Sequence, residues 1–428
     1  MKYQETATIW VTMENSSHPE YGVIRIPFPI PRESYDSYIE QLQKMGLGDP
    51  LKQDCRVVSA LSDYSILKQL EIMTVNVDEL DYLAKCLESF DIGEAAQFQA
   101  MAHKLELSEL KDLINLTFCC QQATVITNFS DLEKVGREHY MNLHGGCAPT
   151  KELEQLNGAE TAIQLIDSGT GVITPYGVVF DNGMKLEQHY DGTHFPAYHY
   201  DRDLLMVGLT SRSEPENTEN ITWVYLPTSQ MQLNRAIARS GIAPEDIRLS
   251  FGDSQFPDEV DVRLDFRRET MDDLNNLALA VEKLSQLDLE KLGAVVDVVK
   301  PECAGEIRQL AENLEQFDFA PGAHTPEEYG KHMIRSSGHF EYDENLDKFY
   351  DFERYGQLRM AQEDGAFTDR GYVSYHGAMA QDELMRDDPV ESLRRDEVNM
   401  EIMWNAPRGN RSRSDSLLLL SDFSHYNG

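Results

Sequence analysis

The chain has 428 residues, enough for two or three domains, and 41% of them are hydrophobic, which permits ordinary cores. Its outstanding bulk property is charge: 74 acidic side chains stand against 38 basic ones, a net of −36. Duplex and single-stranded nucleic acids need lysines and arginines to neutralise phosphates, and an anionic membrane repels such a field, so neither is expected as a direct partner; a strongly basic surface is attracted. The tail 386–428 holds eight acids and six bases, which leaves −34 on residues 1–385. The six cysteines form no CxxC pair, no N-terminal signal segment is evident and no apolar run approaches 18 residues, so a cytoplasmic protein with free thiols is expected.

In chain order, residues 21–26 read as a strand stopped by Pro27, Pro29 and Pro31, followed by a helix over Tyr35–Met45 that ends at Gly46. Residues 56–59 supply another strand. In 78–90 the apolar residues Leu80, Leu83, Ala84 and Leu87 fall at i, i+3, i+4 and i+7, one amphipathic helical face. Helices follow at Glu94–His103 and Glu109–Cys119, the second capped by Ser108, and Ser130 to Glu133 read as a capping box. Gly171 to Phe180 look like a β-hairpin, and 181–215 read as a connector.

Then the pattern starts again. Ile221–Leu226 is a strand closed by Pro227, Ser229–Arg239 a helix ending at Gly241, and 247–251 a strand. Leu274, Leu277, Ala278 and Val281 repeat the amphipathic face. Helices follow at Leu289–Val299 and Glu302–Leu314, and Thr325-Pro326 starts another, with Thr as cap and Pro at the first helical position. Gly365 to Ser374 repeat the hairpin. Residues 22–180 thus recur weakly at 216–374, mostly displaced by 194; Gly46 faces Gly241 at 195 and Pro31 faces Pro227 at 196. Solenoid units run roughly 20–50 residues, so this period is a whole folding unit written twice.

The resulting expectation is an α+β chain of two tandem three-piece copies. Copy one has a small α/β domain (1–75), a helical domain (76–145) and a helix-hairpin domain with connector (146–200). Copy two has the same pieces at 201–270, 271–335 and 336–380, and a charged, poorly ordered tail occupies 381–428.

No Walker loop, HExxH or GxSxG occurs. His189, His194 and His199 are spaced by five, which puts them on no shared helical face, so a metal-dependent enzyme built on them is the weaker alternative; His144 with Cys147 is at best half a metal site. No catalytic residue, metal ligand or cofactor is expected. What the copies share is acid. Six helical positions carry a carboxylate in both: Asp78/Asp272, Glu79/Asp273, Glu88/Glu282, Glu94/Asp288, Asp112/Glu306 and Glu133/Glu327. At about 100° per residue Asp78 points away from Leu80, out from the core stripe. These acids read either as solvated helix faces favoured by the helix dipole or as a patterned anionic surface, joined by Asp343, Glu344, Asp347 and Asp351.

One stretch is more specific. The strand-Pro start at Trp223–Pro227, the helical opening at 273–277, residues 327–333, and the block from Asn345 through Tyr350, Asp351, Arg354, Tyr355 and Gly356 to Leu358, followed by the second hairpin, resemble ArdA-type antirestriction proteins. Copy one is similar more loosely and has Leu156 to Glu160 where the tyrosine-rich block stands; copy two has Gln357 where the family tends to arginine. The resemblance implies an elongated, non-enzymatic DNA mimic that occupies the basic DNA-binding groove of a type I restriction–modification methyltransferase or restriction complex. It also implies carriage on a conjugative transposon or other mobile element, and a pseudo-dimer within one chain with possible further self-association. The sixteen carboxylates above would stand in for phosphates. The rival expectation is an acidic structural or interaction protein of a mobile element whose charge only keeps it soluble.

Overall fold

The computed structural model describes residues 7–198, 203–213, 220–338 and 341–386. The fold is α+β, and the chain divides into two compact units, residues 1–285 and 286–428.

The first unit opens with β1 (Ile9–Glu14), β2 (Val23–Phe28), α1 (Tyr35–Lys44), β3 (Cys55–Ser62) and β4 (Thr74–Val75), an antiparallel sheet in the order β2-β1-β3-β4. Side chains alternate across a strand. Ile9, Val11 and Met13 of β1 are therefore fully buried under Ile39 and Leu42 of the unit's core, while Trp10, Thr12 and Glu14 take the other face. Next come α2 (Val77–Glu88), α3 (Ile92–Lys104) and α4 (Leu110–Thr117). Leu80, Leu83, Ala84 and Leu87 are buried as their periodicity requires. Asn76 caps α2, and Asp91 with Glu94 forms a capping box on α3. Helix α4 starts after Glu109 and makes no side-chain cap bond, so Ser108 does not cap it.

Then follow β5 (Thr124–Ile126), α5 (Leu132–Leu143), α6 (Thr150–Gln155), α7 (Gly158–Asp167), β6 (Val172–Thr174) and β7 (Gly177–Phe180). The hairpin gains β5 as a third strand, in the order β5-β7-β6. Asp131, not Ser130, caps α5 by accepting from the Lys134 amide. Helices α5 and α7 cross at two glycines: a Cβ on Gly136 would lie 1.8 Å from the Gly158 carbonyl oxygen. The boundary expected at 145/146 thus separates two helices that are in backbone contact.

The unit closes with β8 (Leu205–Ser211), β9 (Thr222–Leu226), α8 (Gln230–Ser240), β10 (Ile247–Ser254), the single-turn α9 (Asp258–Asp261) and α10 (Met271–Val281). Strand β8 falls in the stretch read as connector and forms the centre of the sheet β10-β8-β9, as β1 does of its own. The bulge where Gly252 is skipped between β10 and β8 sits 194 positions after the one at Val58 between β3 and β1. Strands β2 and β9 end at Phe28 and Leu226, so Pro29, not Pro31, is the counterpart of Pro227. Ser229 and Gln232 form a capping box on α8, and Gly241 closes it in the left-handed conformation at φ 66. Asn275 of α10 exchanges two hydrogen bonds with the Thr228 backbone, at 2.8 and 3.0 Å. Asp81, the equivalent position of α2, accepts from the Ile30 amide at 2.7 Å. This clamp accounts for α10 staying with the first unit, so the division falls inside the segment 271–335 expected as one helical piece.

Two arginines of α8 enter the interior. Arg235 Nε donates to Asp78 Oδ1 at 2.9 Å and its Nη1 to the Gly48 carbonyl at 2.6 Å. Arg239 donates to the Pro50 carbonyl (2.6 Å), the Tyr190 hydroxyl (2.7 Å) and the Thr193 carbonyl (3.0 Å). Tyr190, 0% exposed, passes its own hydroxyl hydrogen to Glu79 Oε1 at 2.8 Å.

The second unit contains α11 (Gln286–Val299), α12 (Ala304–Glu312), β11 (Phe317–Pro321), α13 (Pro326–Arg335), α14 (Phe352–Met360), β12 (Asp364–Thr368), β13 (Gly371–Tyr375) and the short α15 (Gln381–Leu384). The hairpin again takes a third strand, in the order β11-β13-β12. Thr325 caps α13 with Pro326 at its first position. Helices α13 and α14 cross as α5 and α7 do: a Cβ on Gly356 would meet the Pro326 carbonyl oxygen at 1.8 Å, and one on Gly330 the Phe352 carbonyl oxygen at 2.0 Å. Beyond α15, the segment expected to be poorly ordered lies outside the described residues from 387 onward.

Two outcomes follow from this packing. Gly330→Ala should destabilise the second unit by about 1–3 kcal/mol despite alanine's better helix propensity, because a backbone carbonyl cannot yield; urea unfolding measures it, and an unchanged or raised midpoint would refute the close crossing. Arg235→Met should cost about 3–5 kcal/mol by leaving Asp78 buried without its partner, and a second change, Asp78→Leu, should restore most of that loss. A double variant no more stable than the single one would show that the pair is not the source of the penalty.

Candidate functional site

The sixteen carboxylates separate into three groups once they are placed. The first is internal. Glu79 is 5% exposed and Asp78 half-buried beside Arg235, itself 6% exposed. Burial raises the Glu79 pKa, while Tyr190 and Arg239 pull against that shift. Asp78 and Glu79 do leave the apolar stripe of α2 as the periodicity requires, but that face meets α8, not solvent. Their expected exposure is therefore corrected: helix phase identifies the apolar face and says nothing about what covers the polar one. A signal for it was present, since Arg235 and Arg239 stand four apart on one face of α8 in an otherwise acidic chain. At the corresponding distance before Gly46, α1 carries Glu40 and Lys44, so copy one has no such pair.

The second group holds helix ends. Glu94 accepts from the Asp91 amide at 3.0 Å, Glu306 from the Glu302 amide at 2.6 Å, and Glu133 from the Ala159 amide at 2.9 Å. Arg137 chiefly, then that amide, holds the Glu133 carboxyl below its usual range. Asp273 sits three residues after the Thr270 cap and accepts its hydroxyl at 2.6 Å. Asp343 caps the turn 344–349, and Asp351 caps α14 by accepting from the Arg354 amide at 3.0 Å. Asp347 accepts from the Tyr342 hydroxyl and pairs with Arg335, which together lower its pKa. Acids at helix starts satisfy orphan amides and favour the dipole, so this group has a structural task whatever else it does.

The third group holds Glu88 and Glu282 at helix C-terminal ends, Asp112, Asp272, Asp288 and Glu327 in the first turns of their helices, and Glu344 at the start of the turn 344–349. Glu282 pairs with Arg32 at 2.5 Å and Glu327 with Lys331 at 2.6 Å. Of all sixteen, Glu88, Glu133, Glu282, Glu327, Asp343, Glu344 and Asp351 are exposed. Three of these, Asp343, Glu344 and Asp351, cluster within nine residues of sequence in the second unit.

The histidines are spread along the segment 184–198, which packs on the first core through Tyr190, Phe195 and Tyr198. His189 faces Glu187 at 3.1 Å and His194 faces Asp191 at 2.8 Å, while His199 lies outside the described residues. His144 hydrogen-bonds the Tyr140 carbonyl. Among the described residues no group of three or more His, Cys, Asp or Glu is placed to hold a metal ion, and no helix is long and apolar enough to cross a membrane.

Compared with known families, residues 221–374 match the model of the antirestriction protein (ArdA) family. No curated protein matches the chain. The match runs from the start of β9 to the end of β13 and takes in every exposed carboxylate of the second unit named above. The similarity to ArdA-type antirestriction proteins is thus carried by residues 221–374 of this chain.

Proposed function

We propose that the protein is a non-enzymatic DNA mimic that blocks a type I restriction–modification enzyme by occupying its DNA-binding groove in the cytoplasm of a host cell that has acquired a mobile element. The observation that carries this reading is the ArdA match over 221–374 in a chain of net charge −36. Duplex DNA presents one charge per roughly 1.7 Å, so a competitor needs many fixed acids and not one strong contact. No cofactor enters this reading, and the two ArdA-like copies form a pseudo-dimer in one chain.

The geometry favours copy two as the part that meets the partner. Copy one has committed Asp78 and Glu79 to the arginines of α8, whereas Glu327, Asp343, Glu344 and Asp351 are exposed. The proposed phosphate-mimicking set therefore keeps the other fourteen carboxylates and drops the two internal ones.

Two experiments test this. With a purified type I methyltransferase core, inhibition should be competitive with DNA, and the inhibition constant should rise by at least about tenfold between 50 and 200 mM salt, as for other multi-charge contacts. Salt-insensitive or non-competitive inhibition would exclude mimicry. Second, Glu327→Gln, Asp343→Asn, Glu344→Gln and Asp351→Asn together should weaken inhibition by at least about tenfold, while each alone changes it little, because exposed charges contribute roughly 0–1 kcal/mol apiece. Asparagine caps a helix about as well as aspartate, so the melting temperature should hold. If the folded quadruple variant inhibits like the parent, the acidity serves solubility and the rival reading stands.

A further inference from the structure

In copy one the outer side of β3 is closed by the chain itself. Cys55 pairs with Val75 and Arg56 with Thr74 of β4. Just beyond, the Val57 amide donates to the Met73 carbonyl and the Val57 carbonyl accepts from the Ile72 amide, each at 2.8 Å. The displacement of 194 carries these partners to Leu249 with Glu269, Ser250 with Arg268, and Phe251 with Phe266 and Arg267. Among the described residues none of these pairs forms. Strand β10 is instead an edge of the sheet β10-β8-β9. Where copy one has its fourth strand, a groove of about 260 Å³ is lined by Leu249 on one side and by Phe266, Arg267 and Glu269 on the other.

The phase of β10 follows from one bond: the Arg212 amide donates to the Asp246 carbonyl at 2.8 Å. Main-chain groups of successive residues point to opposite sides of a strand, so the N–H and C=O of Leu249 point away from β8. No main-chain partner meets them there among the described residues. Such an edge is a template for an added strand.

The groove is also basic, in a chain of net charge −36. Arg212, Arg248 and Arg267 line it, all exposed, against one carboxylate, Glu269. Arg212 turns its Nε to the Ile247 carbonyl at 2.9 Å, which brings its guanidinium to this edge. Neither Arg248 nor Arg267 forms a salt bridge among the described residues.

We propose that the β10 edge takes up an extended acidic segment of a partner protein as an antiparallel fourth strand, the one that copy one supplies from its own chain. Main-chain bonds to Leu249 hold the segment, and its carboxylates meet Arg212, Arg248 and Arg267. Charge selects this occupant. Two β10 edges pairing with each other would bring the arginines of two copies together, and like charges opposed across a ladder are destabilising. The same arginines that turn a basic strand away attract an acidic one. The site is independent of the restriction-enzyme reading, because its test uses only the protein and short probes.

The test is a fluorescence-anisotropy titration of the full chain with a labelled, end-blocked hexapeptide of alternating valine and glutamate. The lysine counterpart of that peptide and a short oligothymidylate serve as comparisons. Saturable binding of the glutamate peptide and none of the lysine peptide is expected. Two further peptides carry N-methyl groups, one on its valines and one on its glutamates. Alternate amides face opposite sides of a strand, so one of the two should lose binding and the other keep it. Arg248→Gln with Arg267→Gln should weaken binding at least about tenfold, since charge-assisted bonds are lost; both side chains are exposed, so the melting temperature should hold. The proposal is overturned if the glutamate peptide does not saturate, if the lysine peptide binds equally, if the two N-methylated peptides behave alike, or if the folded glutamine pair keeps parental affinity. Tighter binding of oligothymidylate than of the glutamate peptide would overturn it as well, by assigning the groove to nucleic acid.

Discussion

The first unit is organised around two arginines that enter an interior already holding two carboxylates. Removing such charges from water costs several kcal/mol per ion, and this is recovered only when partners and geometry are right. Arg235 and Arg239 meet that condition through Asp78, the Gly48, Pro50 and Thr193 carbonyls and the Tyr190 hydroxyl. The acceptors come from three stretches, the loop at Gly48 and Pro50, the start of α2 and the segment holding Tyr190 and Thr193, so one helix fixes the position of three segments far apart in sequence. The match is not complete: Asp78 Oδ2, Glu79 Oε2, Arg235 Nη2 and Arg239 Nε are buried without a hydrogen-bond partner among the described residues. Arrangements of this kind favour one register over its neighbours more than they add stability.

Much of this architecture was legible in the sequence because it rests on local rules. The period of Leu80, Leu83, Ala84 and Leu87, the Thr325-Pro326 helix start and the glycine that ends α8 each report a preference that tertiary structure did not override. Strands β1, β5, β8 and β11 were not legible. They run three to seven residues without a strong turn signal on both sides, and their pairing partners lie up to about 60 residues away. The six shared acid pairs were legible as positions, but the direction each one faces was not. Asp78 and Asp272 occupy the same phase on their helices, yet α8 covers only the first with arginine, and that is a property of packing between segments.

The acids that do reach solvent are not ornaments on an indifferent scaffold. Asp343, Asp351 and Glu133 hold backbone amides, so their carboxylates are fixed relative to the main chain in a way that a freely rotating surface glutamate is not. Phosphates on a duplex are also fixed relative to their backbone. A capping carboxylate therefore serves helix stability and charge placement together, and the two demands need not compete.

The glycine crossings of α5 with α7 and of α13 with α14 bear on the same question from another side. Where carbonyl oxygens touch glycine Cα atoms, no side chain lies between the helices to change rotamer. Such a joint has few internal states. In the second unit Glu327 rides on one helix of the pair and Asp351 caps the other, so their separation is set by backbone against backbone. A surface that is already ordered gives up little conformational entropy when it docks, and an array of individually weak charges profits from that more than a few strong contacts would.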